Sequence, residues 1–207
     1  MRNTNFRVRN PVAASSSIPT ETTERITPPL RVGEDQLALV APHVNLAAAF
    51  VDMARDFEAH DERPFDRLAK TLERDFADYV ALLERRLTFS SEAHNIVPTR
   101  TFWLVDEEKR LLGVSSLRMV LTPFLEDFIG HISTSIRPSQ RRRGLSRALR
   151  RLTHDVAREA GMERLLYVTH ACNVASVRGI ESSGGCLDVR PVPLFCGKPV
   201  LRYWIVL

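Results

Sequence analysis

Ile136-Arg-Pro-Ser-Gln-Arg141-Arg-Arg-Gly144-Leu-Ser146-Arg-Ala-Leu149 decides how this chain is read. It follows an alternating run, residues 130–136, with Ile132, Thr134 and Ile136 on one side and His131, Ser133 and Ser135 on the other. That is the period of a strand, and Pro138 stops it. From Leu145 the period changes: Leu145, Leu149, Leu152, Val156 and Ala160 recur at helical spacing, and Gly161 supplies a C-terminal stop. Between strand and helix lies a short loop with Gly144 at the helix start. The first N–H groups of a helix have no partner inside it, and the helix dipole adds partial positive charge there. A glycine lets the backbone curl so that several N–H groups share one concavity. With arginines on both flanks, the loop is an anion site into which a pyrophosphate fits. It lacks the Gly-Lys-Ser/Thr ending of a Walker loop and the further glycines of a dinucleotide fingerprint.

Strands surround this unit. Residues 101–105 and 111–119 flank a charged turn, 106–110, as a hairpin. Residues 164–169 read as a buried strand and 173–183 as a short helix. After the Gly184-Gly185 break, 186–192 and 199–206 read as two closing strands. Upstream, 36–41 is a strand stopped by Pro42, and Asn45 caps a helix carrying Ala48, Val51, Ala54 and Phe57. Asp66 opens a second, amphipathic helix with Leu68, Leu72, Phe76, Val80, Leu83 and Leu87 on one face. Residues 121–128 read as a loop. The fold class is α/β (α+β), a mixed, mostly antiparallel central sheet flanked by helices. Residues 1–34, rich in Ser, Thr, Pro and Arg without a hydrophobic period, read as a disordered tail, and residues 35–207 as one domain.

Composition narrows the function classes. Three cysteines (Cys172, Cys186, Cys196) with no C-x-x-C pair argue against a disulfide framework and a four-cysteine zinc site, so a reducing, cytoplasmic setting is expected. His170 and Cys172 close a strand together without a third ligand or a paired base, and no metal is expected. The most apolar stretch, 37–54, is broken by Pro42, His43, Asn45 and Asp52, which rules it out as a spanning helix. The first twenty residues overlap in composition with a transit peptide, three arginines and no acid among them, but have no secretory apolar core. The net charge is +4, only three of the 29 basic residues are lysines, and seven arginines crowd residues 137–151 without an acid. Such a cluster calls for an anion: nucleic acid, a phosphorylated cofactor or an acidic protein surface. Arg143, Arg147, Arg150 and Arg151 share a helix face that could track phosphates. No aromatic stands between Phe128 and Tyr167 to stack bases, which argues against nucleic acid.

Taken in order, Arg141-x-x-Gly144-x-Ser146 and then Asn173-Val-Ala-Ser176, leading to Gly184-Gly185, resemble two successive motifs of the GNAT superfamily of acyl-CoA N-acyltransferases. Ser146 stands where that family has Gly or Ala. Gly130-His-Ile-Ser-Thr-Ser-Ile-Arg-Pro138 and Arg202-Tyr-Trp-Ile205 are similar to the "GHIGYSIRP" strand and "RYWI" ending of a group of predicted acetyltransferases within it. The likeness covers residues 36–207. It implies an acetyl-CoA-dependent N-acetyltransferase acting by direct attack of a primary amine, from a small molecule or a peptide, on the thioester. The cosubstrate would be held by Ser135, Ile136, Arg141, Arg142, Arg143, Gly144, Leu145, Ser146, Asn173 and Ser176. Backbone N–H groups near Ser135 and Ile136 would polarise the thioester carbonyl.

The catalytic residues are less determined. His131 begins the strand that in this superfamily splays to admit the acyl arm, and an imidazole suits a general base; it equally suits a structural bond to a neighbouring strand. Glu126 and Asp127, in the preceding segment, are rival bases. The tyrosine that many family members place seven residues after the Asn is here Ile180, so Ser176, Ser182, Ser183 or water would protonate the thiolate. Asp52, Asp56 and Glu58 on the first helix, and Asp61 where it ends, could receive a polyamine or aminoglycoside, or form a solvated face. Two other classes compete: a degenerate family member that binds CoA without turnover, and an arginine-rich nucleic-acid binder. The oligomeric state stays open, a homodimer included.

Overall fold

The computed structural model describes residues 30–32, 35–62, 66–190 and 194–207. The tail expected over residues 1–34 lies outside these except at its end, where Leu30–Val32 forms a strand (β1) antiparallel to Asp35–Val40 (β2). Ordered structure therefore begins before residue 35. The first sheet continues with Thr99–Val105 (β3), Leu111–Arg118 (β4) and Ile132–Ile136 (β5), in the order β1-β2-β3-β4-β5. The second is built on Arg164–His170 (β6) and Lys198–Val206 (β9), with Cys186–Leu187 (β7) on the far side of β9 and Leu194–Phe195 (β8) folded back onto it. Every strand pairing among the described residues is antiparallel. Among the described residues the one backbone bridge between the two sheets joins Gly130 to Tyr167, and β5 and β6 share no ladder beyond it.

Helices cover both faces. Ala47–Ala59 (α1) and Asp66–Arg85 (α2) lie on one, burying Phe50, Met53, Phe57, Phe76, Tyr79, Val80 and Leu83 against Trp103, Val105 and Leu111. A non-helical residue, Asp75, kinks α2, and Leu87, past its end, is exposed rather than on the buried stripe. On the opposite face Leu145–Glu159 (α4) buries Leu145, Leu149, Leu152 and Val156 among Leu37, Phe102, Leu117, Ile132 and Ile136. These are the residues its 3.6 period selects, and Gly161 at φ +80 ends it. Val174–Glu181 (α5) follows β6 and buries Ile180.

Two local expectations are corrected. Residues 123–128 are a helix (α3, Pro123–Phe128), not a loop: Thr122 caps it, accepting from Leu125 N–H at 3.4 Å, and Pro123 takes the first turn, where its missing N–H costs nothing. Of the strand expected over 186–192, residues 191 and 192 lie outside the described residues, and the strand stops at Leu187, because Asp188 bends to bind the N–H and guanidinium of Arg190 and the indole N–H of Trp204. The β8–β9 turn, Cys196-Gly197, has φ values of +51 and +73, the two left-handed residues of a tight hairpin. Among the described residues no helix is long and apolar enough to cross a membrane.

Candidate active site

The loop between β5 and α4 turns on two left-handed residues, Arg142 at φ +63 and Gly144 at φ +79. Gly144 caps α4, and its carbonyl takes the first helical bonds, from Arg147 and Ala148 N–H at 3.0 and 3.1 Å. Among the described residues no backbone carbonyl accepts from the N–H of Leu145 or Ser146. A cleft of about 840 Å³ opens over these groups, walled by Thr134, Ser135 and Ile136 of β5, by Arg141, Arg142 and residues 144–147 of the loop and helix, by Arg150, by Asn173, Ala175 and Ser176 at the start of α5, and by Phe57 and Glu62 from the far side.

Most of the residues selected from sequence meet here, with some roles changed. Asn173 Oδ1 caps α5, accepting from Ser176 N–H at 3.1 Å, which leaves its amide N–H₂ free to donate. The Ser176 hydroxyl has no hydrogen-bond partner among the described residues. Arg143 lies outside the cleft wall and reaches Gln140. Arg141 is committed elsewhere: its Nε donates to Ile136 O (3.1 Å) and its fork binds Glu62 at 2.5 and 2.7 Å. Each member of that pair shifts the other, Glu62 downward and Arg141 upward, chiefly through these hydrogen bonds.

The register of β5 corrects the expected oxyanion donors. Arg118 N–H donates to His131 O and Arg137 N–H to Leu112 O, at 2.8 and 2.9 Å. Directly opposed antiparallel residues alternate between bonded and unbonded pairs, so Ser133 and Ser135 direct their backbone groups at β4. The N–H groups on the open side are those of Thr134 and Ile136. Ser135 offers its side chain to the cleft, not its N–H.

His131 lines no part of the cleft. Its Nδ1 accepts from Leu166 N–H at 2.9 Å while its own N–H donates to Leu166 O at 2.8 Å, so it fastens β5 to β6. Burial, aided by Arg118 and Arg164, lowers its pKa to about 4. The ring is therefore neutral with its proton on Nε2 and its lone pair engaged, and it has no site for the amine's proton. Glu126 and Asp127 are also outside the cleft, bound by Arg190 (2.9 Å) and Arg202 (2.6 Å). Two of the four acids singled out near the first helix are already engaged: Arg137 pairs with Asp52 at 2.7 Å and Asp56 at 3.1 Å, and Asp56 also accepts from Ser139 N–H and Oγ–H, while Glu58 and Asp61 are exposed. Among the described residues no group of three His, Cys, Asp or Glu side chains converges on one point.

Arg150 is the residue sequence reasoning misplaced. It is not on the exposed face with Arg143, Arg147 and Arg151; it is 6% exposed, turned between α4 and α5 at the back of the cleft. Its NH1 donates to Ser146 Oγ at 2.7 Å and its Nε to Ser183 Oγ at 3.2 Å. Gly179 makes the room, since a Cβ there would stand 2.8 Å from the guanidinium. Among the described residues no carboxylate pairs with Arg150.

Residues 55–184, well over half of the chain, match the Acetyltransferase (GNAT) family. No curated protein matches the sequence. Solved structures of similar fold include a GnaT-family acetyltransferase from Bordetella pertussis, 17% identical, covering 86% of this chain and 99% of its own, TM-score 0.61. Mycobacterium smegmatis RimJ in complex with CoA-disulfide is 16% identical, covering 86% of both chains, TM-score 0.62. The spermidine/spermine N-acetyltransferase SpeG from Vibrio cholerae is 17% identical, covering 83% of this chain and 95% of its own, TM-score 0.54.

Proposed function

This chain belongs to the acetyltransferase (GNAT) family, and from that premise we propose that it moves an acetyl group from acetyl-CoA to a primary amine of a small molecule or peptide. The observation that carries the cosubstrate is Arg150. A buried charge is normally paired, and this one ends in the cleft with only hydroxyls for company. A phosphate of CoA supplies the missing anion, beside the first N–H groups of α4. RimJ, of the same fold, carries a CoA derivative.

When bound, acetyl-CoA supplies the activated thioester. The amine nitrogen attacks its carbonyl carbon, the C–N bond forms, the C–S bond breaks, the amine loses a proton and the thiolate gains one. Thr134 and Ile136 N–H face the opening between β5 and β6, where they stabilise charge developing on the carbonyl oxygen. Ser176 donates its hydroxyl hydrogen bond to the leaving thiolate. Among the described residues the one carboxylate in the wall, Glu62, is held by Arg141, and no histidine lines the cleft. Water therefore takes the amine's proton, and the chain's contribution is positioning and oxyanion stabilisation.

Buried Ile180, where many relatives carry a tyrosine, favours a second reading, a CoA-binding regulator without turnover. Release of free CoA from acetyl-CoA over a panel of amines separates the two. Release with at least one amine is expected; acetyl-CoA binding with no release from any amine establishes the regulator. A melting temperature unmoved by millimolar acetyl-CoA but raised by NAD or ATP overturns both.

A further inference from the structure

The side of β5 that carries Ser135 into the cleft continues to Ser133 and His131, since alternate residues of a strand share a face. Opposite them on β4 stand Val114, Ser116 and Arg118, and opposite those on β3 stand Trp103, Thr101 and Thr99. Toward the cleft this face is apolar, covered by α1 and α2. Away from it the face turns polar, and Ser133 is exposed. Arg118 lies across it half-buried, donating from NH1 to Ser133 Oγ (3.2 Å) and Gly130 O (3.3 Å). No carboxylate among the described residues pairs with it. Arg86 stands beside it: just past α2, its carbonyl accepts from Thr99 N–H at 2.7 Å, and Thr99 is the register partner of Arg118. Arg164, over the Trp204 ring, is a further cation acting on His131. Glu126, the acid that acts on His131, is held by Arg190.

This surface is cationic, connected to the cleft along one strand, and has a guanidinium with donors to spare. Of the acids near the cleft, Asp52, Asp56 and Glu62 are already taken by Arg137, Ser139 and Arg141, which leaves a polyamine only the exposed Glu58 and Asp61. Resting on the acetyltransferase reading, we infer that the acceptor is an amine that also carries a carboxylate, bound by Arg118 with Ser133 and Arg86 while the amine meets the thioester at Thr134–Ile136. A carboxylate suits the planar guanidinium fork. Ser135 and Ser133 are two residues apart, so the amine and the carboxylate of the acceptor are separated by about 7 Å. That spacing belongs to a dipeptide or to the side-chain amine of free lysine, and not to glycine, whose two groups flank one carbon.

The test compares acetyl-CoA-dependent acetylation of glycylglycine, glycylglycine amide, free lysine, spermidine and phosphoethanolamine by the full chain. The acids are expected to exceed the amide in kcat/KM by roughly 10- to 100-fold, the range of hydrogen bonds to charged groups. In Arg118→Met that ratio is expected to collapse toward one through KM for the acceptor, with acetyl-CoA affinity by titration retained. Arg86→Gln, an exposed position, should lower the ratio less and serves if Arg118→Met does not fold. Equal turnover of acid and amide, a preference for spermidine, or acetylation of phosphoethanolamine alone each overturns the inference while leaving the acetyltransferase reading in place. Failure of acetyl-CoA itself to bind removes that reading instead.

Discussion

Replacing Arg150 with methionine should weaken CoA binding and leave the unliganded protein as stable as before, or more so. Arg150 is 6% exposed and bonded only to the hydroxyls of Ser146 and Ser183. Ser183 Oγ also donates to Gly179 O at 2.8 Å, so it keeps a partner, and Ser146, at the cleft, turns to water. Exchanging a buried ion for an apolar side chain of similar volume is commonly neutral or stabilising, by about 1–4 kcal/mol. With no carboxylate stranded by the exchange, an unfolding free energy raised by about 0–2 kcal/mol is expected. Binding moves the other way. Hydrogen bonds from a charged donor contribute about 1.5–3 kcal/mol, so Kd for CoA should rise roughly 10- to 150-fold. At a CoA concentration 100 times the wild-type Kd, the wild type gains about 2.7 kcal/mol, and a variant weakened about 30-fold gains only about 0.9. Calorimetric titration with CoA at fixed ionic strength, paired with urea unfolding with and without ligand, measures both effects. Loss of 2 kcal/mol or more of unliganded stability with an unchanged Kd would refute the reasoning and make Arg150 a strut between α4 and α5. Titration with 3′-dephospho-CoA then tells which phosphate the guanidinium meets.

Gly144→Val forces a β-branched residue to φ +79, where the left-handed region costs about 1–2 kcal/mol, and should lower CoA affinity at least tenfold in a protein that still melts cooperatively; normal CoA binding would remove the loop from the phosphate site. His131→Ala strands the Leu166 N–H and should cost about 1–3 kcal/mol of stability by urea unfolding, without the 100-fold fall in kcat that loss of a base brings. His131 and His154, the latter buried on α4 with its Nε2 2.7 Å from the Tyr167 hydroxyl, are both pushed down by burial to about 4 in the fold against 6.5 in the open chain, and take up protons on unfolding between those values. Stability should therefore fall as pH drops from 6.5 to 4, and less steeply in His154→Gln; equal slopes would contradict it. Ser176→Ala should lower kcat about tenfold with Kd for CoA unchanged, and an unchanged kcat would take the thiolate's donor elsewhere.

The strand–loop–helix unit was legible because its signals are local: an alternation, a proline, a glycine at the turn and a long apolar stripe, all within 32 residues of Gly130. What escaped was set by residues distant in sequence. Arg150 reads as one more surface arginine until Gly179 and Ser183, some thirty positions on, prove to make its recess. A glycine in the middle of a short helix and a serine four residues before the arginine were the available signals. Arg141 reads as a phosphate ligand because nothing nearby names Glu62. His131 looks catalytic from its place on the strand, and only the partner strand shows that its lone pair is spent. α3 was too short for any period to rise above its proline.

Two sheets joined at one point behave as jaws on a single pin. The pin is Gly130 against Tyr167, locked by both bonds between His131 and Leu166. Its tightness is visible in Gly130, where an added Cβ would stand 2.5 Å from Leu166 O. Beyond the pin no ladder among the described residues joins β5 to β6, and the jaws are held there by the core they share with α4, Ile132 and Ile136 from one sheet and Leu165, Tyr203 and Ile205 from the other. The angle is set at the pin, and the proposed phosphate site is set on the helices. On the proposed reading, a change at Gly130 would act on the opening that admits the acyl chain and leave Arg150 and the start of α4, at the other end of the cleft, as they are.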